Sequence, residues 1–136
     1  MGFHQVEVDQ RDRVKTAFLT HRGVYIYNVM PFGLCNAPAT FQCLMERVLG
    51  TMIHRGVLVY IDDVLIYAET PEQLIEILWL VLRLLIQAGL KYKASQCVLF
   101  AESVNFLGHI ISPDGIKPDP SKLEKIKQWS KPEKGV

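Results

Sequence analysis

The sequence contains too few cysteines for a disulfide framework or a zinc site. Its 136 residues include three, Cys35, Cys43 and Cys97, which are odd in number, widely spaced and without a CxxC pair. A protein built on disulfides or on a cysteine-bound metal needs more of them at closer spacing. We therefore interpret the three side chains as buried thiols of a reducing compartment, with Cys43 on the apolar face of a helix.

A long apolar segment is also missing. The most hydrophobic run, Leu74 to Ile86, is interrupted by Glu76 and Arg83, whereas a helix that spans a bilayer needs about 20 apolar residues. The first five residues lack the apolar core of a signal peptide. The sequence therefore predicts no membrane span and an intracellular protein.

A large net charge is missing as well, since fifteen basic and fourteen acidic residues give a formal charge of +1 at pH 7. This balance excludes a strong overall attraction to polyanions and leaves a local basic surface as an open alternative. The six lysines from Lys117 onward, set against three acids, are either a solvated face or a contact for phosphate groups. The 49% of residues that are hydrophobic provide enough apolar surface for one folded domain.

Hydrophobic periodicity and turn residues predict short strands and three helices. The predicted strands are Phe3–Val8, Val14–Thr20, Val24–Met30, Val57–Ile61, Val64–Ala68, Lys91–Phe100 and Val104–Ile111. The helices are predicted to begin near Asn36, at a Thr70 cap and at Asp119. Because hairpins predominate in this order, we predict an α+β fold with helices packed on one face of a largely antiparallel sheet.

Two adjacent carboxylates, Asp62 and Asp63, lie between two apolar runs and predict a tight turn that carries both. Like charges at this spacing repel, and a divalent cation such as Mg²⁺ removes the repulsion. Two such ions can activate an attacking hydroxyl and stabilise a leaving pyrophosphate. The residues alone leave open the alternative of a solvated Asp-Asp turn between buried strands.

Four collinear motifs resemble those of reverse transcriptases, in particular the enzymes of gypsy-type long-terminal-repeat retrotransposons. Tyr60–Asp63 resembles the YxDD signature, and Met30–Gln42 resembles the family's MPFGLxNAPATFQ block. Lys15–Phe18 and Phe106–His109 resemble the KTAF and FLGH elements. The resemblance covers nearly the whole chain. It implies that residues 1–136 form a single polymerase palm with partial fingers, without the thumb and ribonuclease H.

The resemblance implies templated DNA synthesis from deoxynucleoside triphosphates on an RNA or DNA template-primer, in the cytoplasm or in a retroelement particle. Asp62 and Asp63 match the catalytic carboxylates that bind two Mg²⁺ ions, with Mn²⁺ as an alternative. Phe3 matches the aromatic ring that leaves no room for a sugar 2′-hydroxyl. The implied nucleotide- and template-binding residues are Phe3, Phe32, Gly33, Asn36 and Tyr60, and the implied primer-binding residues are Phe106, Leu107 and Gly108.

Two departures from the family pattern bear on activity. The family's third metal-binding acid would lie two positions before residue 1. We therefore expect weak metal binding by Asp62 and Asp63 and little or no polymerase activity from this chain alone. Gln96 stands where the family commonly has a lysine proposed to protonate the leaving pyrophosphate, so Lys91 or Lys93 would have to substitute.

The segment from Ile77 to Ile86 is apolar at nine of its ten positions, which is more than a helix with one buried face requires. A missing domain or a second copy of the chain would have to cover it, or the chain would aggregate, and we predict a homo-oligomer with Trp79 and nearby leucines at the contact. The main functional alternative is a non-enzymatic domain of retroelement origin that self-associates or binds nucleic acid. A domain with no nucleic-acid role would require four collinear motifs to arise by chance.

Overall fold

The structure is a computed structural model that describes residues 2–127 and 129. It divides into two compact units, Met1–Ala94 and Ser95–Val136. Wherever two strands of the described residues pair with each other, they run antiparallel, which confirms the predicted α+β class with antiparallel strands. No helix in this described part of the chain is both long and apolar enough to cross a bilayer.

The first unit contains two hairpins and two long helices. Its elements are β1 (Phe18–Thr20), β2 (Gly23–Tyr25), α1 (Ala37–Leu49), β3 (Val57–Tyr60), β4 (Asp63–Ile66), α2 (Pro71–Gln87) and two 3₁₀ helices at Phe3–Gln5 and Arg13–Thr16. In the second unit the elements are β5 (Val104–Phe106), β6 (His109–Ser112), β7 (Gly115–Pro118) and α3 (Pro120–Lys127). A further 3₁₀ helix covers Ala94–Gln96. The strands form three small sheets, β1-β2, β3-β4 and β5-β6-β7.

The core of the first unit is built from one face of each helix and the inner side of the β3-β4 hairpin. In α1 the buried residues recur every four positions, at Ala37, Phe41, Met45 and Leu49, as the predicted helical spacing requires. Val57 of β3 and Val81 and Leu85 of α2 complete this cluster. Each fully buried side chain of this size stabilises the fold by about 1.5–3 kcal/mol.

Local capping explains where the helices begin. Thr70 precedes α2, and its side-chain oxygen accepts a hydrogen bond from the Gln73 N–H at 3.3 Å. Pro71 then occupies the first helical position, where a missing N–H has no consequence. These starts agree with the sequence predictions because cap signals depend on neighbouring residues only.

Four predicted strands are wrong in part or in whole. The predicted strand Val104–Ile111 is the β5-β6 hairpin, because Leu107 and Gly108 have positive φ and reverse the chain there. Of the predicted strand Val14–Thr20 only Phe18–Thr20 is a strand, since residues 13–16 form a 3₁₀ helix.

Residues 3–5 form a 3₁₀ helix, and strand-like pairing begins only afterwards, where the Met30 N–H donates to the Val6 carbonyl at 2.8 Å. The predicted strand Lys91–Phe100 is absent from the described residues. The main chain of Lys91 instead hydrogen-bonds to the side chain of Gln5, so this segment does not pair with a neighbouring strand there.

The interpretation of the three cysteines as buried thiols is also wrong, because all three are exposed. Cys43 lies in α1 two residues from both Phe41 and Met45, which are buried. Since successive helical residues are rotated by about 100°, Cys43 points about 200° away from each of them. It therefore lies on the solvent side of α1.

Candidate active site

The two carboxylates of the sequence motif lie at the end of the β3-β4 hairpin. Tyr60 pairs with Asp63 in the antiparallel register, so the turn consists of Ile61 and Asp62, and Asp63 is the first residue of β4. The predicted Asp62-Asp63 turn is thus displaced by one residue. The reason is that the Tyr60-Asp63 pair closes the hairpin with a two-residue loop, the commonest hairpin connection. Both carboxylates are exposed.

Ile61 adopts an unusual backbone conformation for a β-branched residue. Its φ is +54°, in the left-handed region that glycine occupies readily and that costs other residues on the order of 1–3 kcal/mol. A hydrogen bond stabilises this conformation, because the Ile61 N–H donates to Gln42 Oε1 of α1 at 2.6 Å. The turn that carries Asp62 is therefore tied to the helix behind it.

Gln42 is itself oriented by two further contacts. Its Nε2 donates to Glu46 Oε1 at 2.8 Å and to the Val59 carbonyl at 3.4 Å. Glu46 follows Gln42 by four residues, the spacing at which helical side chains meet. In the sequence, Gln42 is the last residue of the MPFGLxNAPATFQ block, and no role was predicted for its side chain. Its four-residue spacing from a carboxylate was the only local signal.

The hairpin end opens onto a depression of about 330 Å³. Its lining contains five of the residues that the sequence predicted for the site, together with Ile61. The five are Phe3, Phe32, Tyr60, Asp62 and Asp63. The depression thus has an aromatic side, formed by Phe3, Phe32 and Tyr60, and an acidic side, formed by Asp62 and Asp63.

The N-terminal residues contact the acidic side directly. The Gly2 N–H donates to Asp62 Oδ2 at 3.4 Å. A Cβ atom on Gly2 would lie 2.9 Å from Phe41 Cζ and 3.0 Å from Asp62 Cγ, closer than ordinary van der Waals contact. Position 2 therefore has room only for glycine unless its neighbours move.

Two phenylalanine rings on the aromatic side of the depression, Phe3 and Phe32, contact each other, and Phe3 also contacts a third ring behind them. The ring of Phe3 lies 5.4 Å from that of Phe32 and contacts Phe41 edge-on at 5.7 Å, and His4 lies 5.3 Å from Phe32. Phe41 is buried in the core, whereas Phe32 is 58% exposed. Phe3 therefore connects the hydrophobic core to the open surface of the site.

Two other predicted residues, Gly33 and Asn36, lie on the segment between Phe32 and α1, outside the lining of the depression. Gly33 has a φ of +90°, which a residue with a side chain adopts only with strain. The Asn36 carbonyl accepts the Thr40 N–H at 2.9 Å in the first turn of α1. Their backbone positions shape the turn that presents Phe32.

The predicted primer-binding residues, Phe106, Leu107 and Gly108, form the end of the β5-β6 hairpin in the second unit. Leu107 and Gly108 have φ values of +52° and +77°, the pattern of a two-residue loop with both residues in the left-handed region. The side chain of Lys122 lies against Gly108 and occupies the space that a Cβ would need. Gly108 therefore permits a close approach between this turn and α3.

The donors available for a cation are few. Among residues 2–127 and 129, no cluster of three or more His, Cys, Asp or Glu side chains could hold a metal ion. Asp62 and Asp63 alone provide exposed carboxylate oxygens on the depression, and such hard ligands suit Mg²⁺ or Mn²⁺. The residues present therefore fit part of a divalent-cation site.

The comparisons with known proteins show the family of the chain. The model of the reverse transcriptase (RNA-dependent DNA polymerase) family matches residues 1–111. The chain is 44% identical over 133 residues to the Pol polyprotein of transposon 297 from Drosophila melanogaster, and 37% identical over 132 residues to that of transposon gypsy from the same organism. These alignments cover 98% and 97% of this chain but only 13% of each relative.

Solved structures agree as well. The foamy viral protease-reverse transcriptase in complex with double-stranded DNA superposes with a TM-score of 0.85 at 27% identity, over 96% of this chain and 27% of that one. Its complex with an RNA/DNA hybrid gives 0.84, also at 27% identity, over 96% of this chain and 18% of that one. The chain belongs to the reverse transcriptase family and has its palm-like α+β fold. Its relatives identify it further as a gypsy-type retrotransposon sequence that corresponds to a small part of a longer polyprotein.

Proposed function

We propose that these residues supply the palm of an RNA-directed DNA polymerase that adds deoxynucleotides to a primer. The observation that carries this proposal is the shared depression, which is lined by Asp62, Asp63 and the ring of Phe3. The foamy viral relatives, whose complexes contain double-stranded DNA or an RNA/DNA hybrid, support a template-primer as the partner. Such an activity would take place in the cytoplasm or in a retroelement particle.

Asp62 and Asp63 are the proposed catalytic pair. Two Mg²⁺ ions, or Mn²⁺ in their place, would activate the primer 3′-hydroxyl and stabilise the leaving pyrophosphate. The two side chains would hold these ions with their exposed oxygens, and the Gln42-Ile61 hydrogen bond would keep the turn in place. Because two carboxylates replace few of the waters around a Mg²⁺ ion, a third acid from the longer polyprotein is needed for a complete site.

The remaining residues of the depression would select and orient the nucleotide. We propose that the Phe3 ring packs against the sugar and excludes a 2′-hydroxyl, and that Phe32 and Tyr60 contact the nucleotide and the primer terminus. Gly33 and Asn36 would shape the backbone beside them. In the second unit, the β5-β6 turn at Phe106, Leu107 and Gly108, of which Leu107 is exposed, would support the primer strand.

Primer extension with Mg²⁺ tests the proposal. A longer polyprotein that contains this sequence should extend a DNA primer on an RNA template, and Asp62→Asn should abolish extension because the amide is a neutral, weaker ligand. Asp114→Asn, an exposed acid of the β6-β7 turn, is the matched control and should leave extension unchanged. Activity that survives Asp62→Asn would contradict the proposal.

The 136-residue chain on its own should incorporate little or no nucleotide under the same conditions. Robust incorporation by this chain, abolished by Asp62→Asn, would show that two carboxylates suffice. Such a result would remove the need for a third acid.

The exposed face of α2 favours a second candidate function, a self-associating domain. Trp79 is 63% exposed, and Ile75 and Ile86 are exposed by more than half, which is unusual for large apolar side chains on one helix. We propose that two copies of the chain bury these residues against each other. Size-exclusion chromatography with light scattering should give a dimer for the wild type and a monomer for Trp79→Lys.

Tyr92→Lys, which changes another exposed aromatic residue of the first unit, is the matched control for self-association and should remain dimeric. A monomeric wild type at high concentration would contradict this second candidate and leave the polymerase proposal unaffected.

A further inference from the structure

Gln5 makes a two-bond contact with a main chain 86 residues away. The Lys91 N–H donates to Gln5 Oε1 at 2.6 Å, and Gln5 Nε2 donates to the Lys91 carbonyl at 3.0 Å. An uncharged side-chain amide can donate and accept at once. Gln5 thus replaces, with a single side chain, the pair of hydrogen bonds that an adjacent strand would give to Lys91.

The contact anchors a weak element that carries Phe3. The 3₁₀ helix Phe3–Gln5 has three residues, none of them buried, and helices this short depend on tertiary contacts for their stability. It is closed by two backbone hydrogen bonds, from the Gln5 N–H to the Gly2 carbonyl at 2.9 Å and from the Val6 N–H to the Phe3 carbonyl at 3.1 Å. Fixing the Gln5 side chain therefore fixes the backbone on which the Phe3 ring is mounted.

The other end of the contact is firmly held. Lys91 follows Leu90, which is buried, and the Leu90 N–H donates to the Leu85 carbonyl of α2 at 2.9 Å. The ring contacts of Phe3 with Phe41 and Phe32 provide packing, but they provide no hydrogen bond to the backbone. The two hydrogen bonds of Gln5 therefore connect the segment that follows α2 to the short helix that carries Phe3.

We propose that Gln5 is a positioning residue, which holds the Phe3 ring in the wall of the depression through the main chain of Lys91. The part of this inference that concerns sugar selection rests on the proposed function. If the Phe3 ring excludes a sugar 2′-hydroxyl, then loss of the Gln5–Lys91 hydrogen bonds lets the ring move and weakens that exclusion. Polymerisation itself should continue, because Gln5 does not line the depression.

NMR spectroscopy of the 136-residue chain tests the positioning directly. Gln5→Ala should speed hydrogen exchange at the Lys91 amide about tenfold, the effect of losing one hydrogen bond. It should also weaken the nuclear Overhauser contacts between the rings of Phe3 and Phe32, while the methyl signals of Leu49 and Val57 in the core stay unchanged. Gln10→Ala, at an exposed glutamine nearby, should change none of these signals.

A second variant keeps the test decisive if Gln5→Ala fails to fold. In Gln5→Glu the carboxylate still accepts from Lys91 but cannot donate to its carbonyl. We expect partial protection of the Lys91 amide and intermediate ring contacts in this variant. Unchanged Phe3–Phe32 contacts in the folded variants, or equal changes in Gln10→Ala, would overturn the inference.

Kinetics of the longer polymerase separate this inference from the proposed function. The ratio of kcat/KM for dATP to that for ATP should fall about tenfold in Gln5→Ala, with kcat for dATP nearly unchanged. If the wild type and Phe3→Val show the same low ratio, the proposed role of Phe3 fails. If the wild type discriminates and Gln5→Ala discriminates equally well, the role of Gln5 fails.

Discussion

The strained turn at Ile61 makes the orientation of the proposed catalytic pair, Asp62 and Asp63, depend on one side chain of α1. Removing the Gln42 amide in Gln42→Ala leaves the Ile61 N–H without its 2.6 Å partner. We expect the free energy of unfolding to fall by about 1 kcal/mol, the usual net contribution of such a bond. Urea denaturation followed by circular dichroism measures this change.

The matched control for Gln42 is Gln73→Ala, at an exposed glutamine in α2, and its stability should stay within about 0.5 kcal/mol of the wild type. Equal stability of Gln42→Ala and the wild type would mean that the hairpin holds Ile61 without help from the helix.

Residues of the site differed in how far the sequence could predict them. Asp62, Asp63 and Phe3 were identified because they belong to motifs that resemble a known family. Gln42 and Gln5 were missed because each acts through a hydrogen bond to a main-chain group distant in sequence. No local pattern reports which backbone group a glutamine will meet after folding.

At the scale of the element, α3 begins with a charged cap that should make the second unit sensitive to acid. Asp119 Oδ1 accepts the Ser121 N–H at 2.9 Å, and Oδ2 accepts Asn105 Nδ2 at 2.6 Å. These hydrogen bonds, led by the backbone one from Ser121, lower the pKa of Asp119 below its ordinary 3.8. The carboxylate therefore stabilises the folded state above about pH 4, and this contribution is lost as the pH falls through the lowered pKa.

We predict that Asp119→Ala destabilises the second unit at pH 7 and that its difference from the wild type shrinks as the pH falls through the lowered pKa of Asp119, because the wild type then loses the charge as well. Hydrogen exchange of the β7 and α3 amides at several pH values measures the effect. Asp114→Ala should show no such pH-dependent difference. A constant difference between Asp119→Ala and the wild type over the whole range would contradict the charged cap.

Elements were predictable where their signals are local. The starts of α1 and α2 follow from Asn36, Pro38, Thr70 and Pro71, which lie next to the helices they begin. The segments 3–8 and 91–100 have strand-like composition, but Gln5 and Lys91 are paired through a side chain instead. Tertiary hydrogen bonds overrode local propensity there, as they commonly do in short segments.

On the scale of the whole molecule, the two carboxylates should bind a cation weakly and at one place. Mn²⁺ added to the 136-residue chain should broaden the NMR signals of Tyr60 to Val64 and of Gly2 and Phe3 first, because the Gly2 N–H contacts Asp62. Asp62→Asn should suppress this broadening. Broadening that begins at residues 109–124, or that survives Asp62→Asn, would contradict the proposed cation site.

The prediction that residues 1–136 form one domain concerns a feature that the comparisons do not test, and it stays a prediction. The palm-like fold was predictable because the four motifs are collinear over nearly the full sequence. The division into two compact units was not, since no linker-like composition marks residues 94 and 95.

The ring of Phe41 is part of both the hydrophobic core and the support of the site. It is buried in the core and contacts the Phe3 ring edge-on. A substitution that trims this ring would leave space behind the proposed sugar screen as well as a cavity in the interior. Stability and substrate choice would then change together. Under the proposed polymerase function, a substitution at Phe41 that changes the packing of the core would therefore also change which nucleotides are accepted.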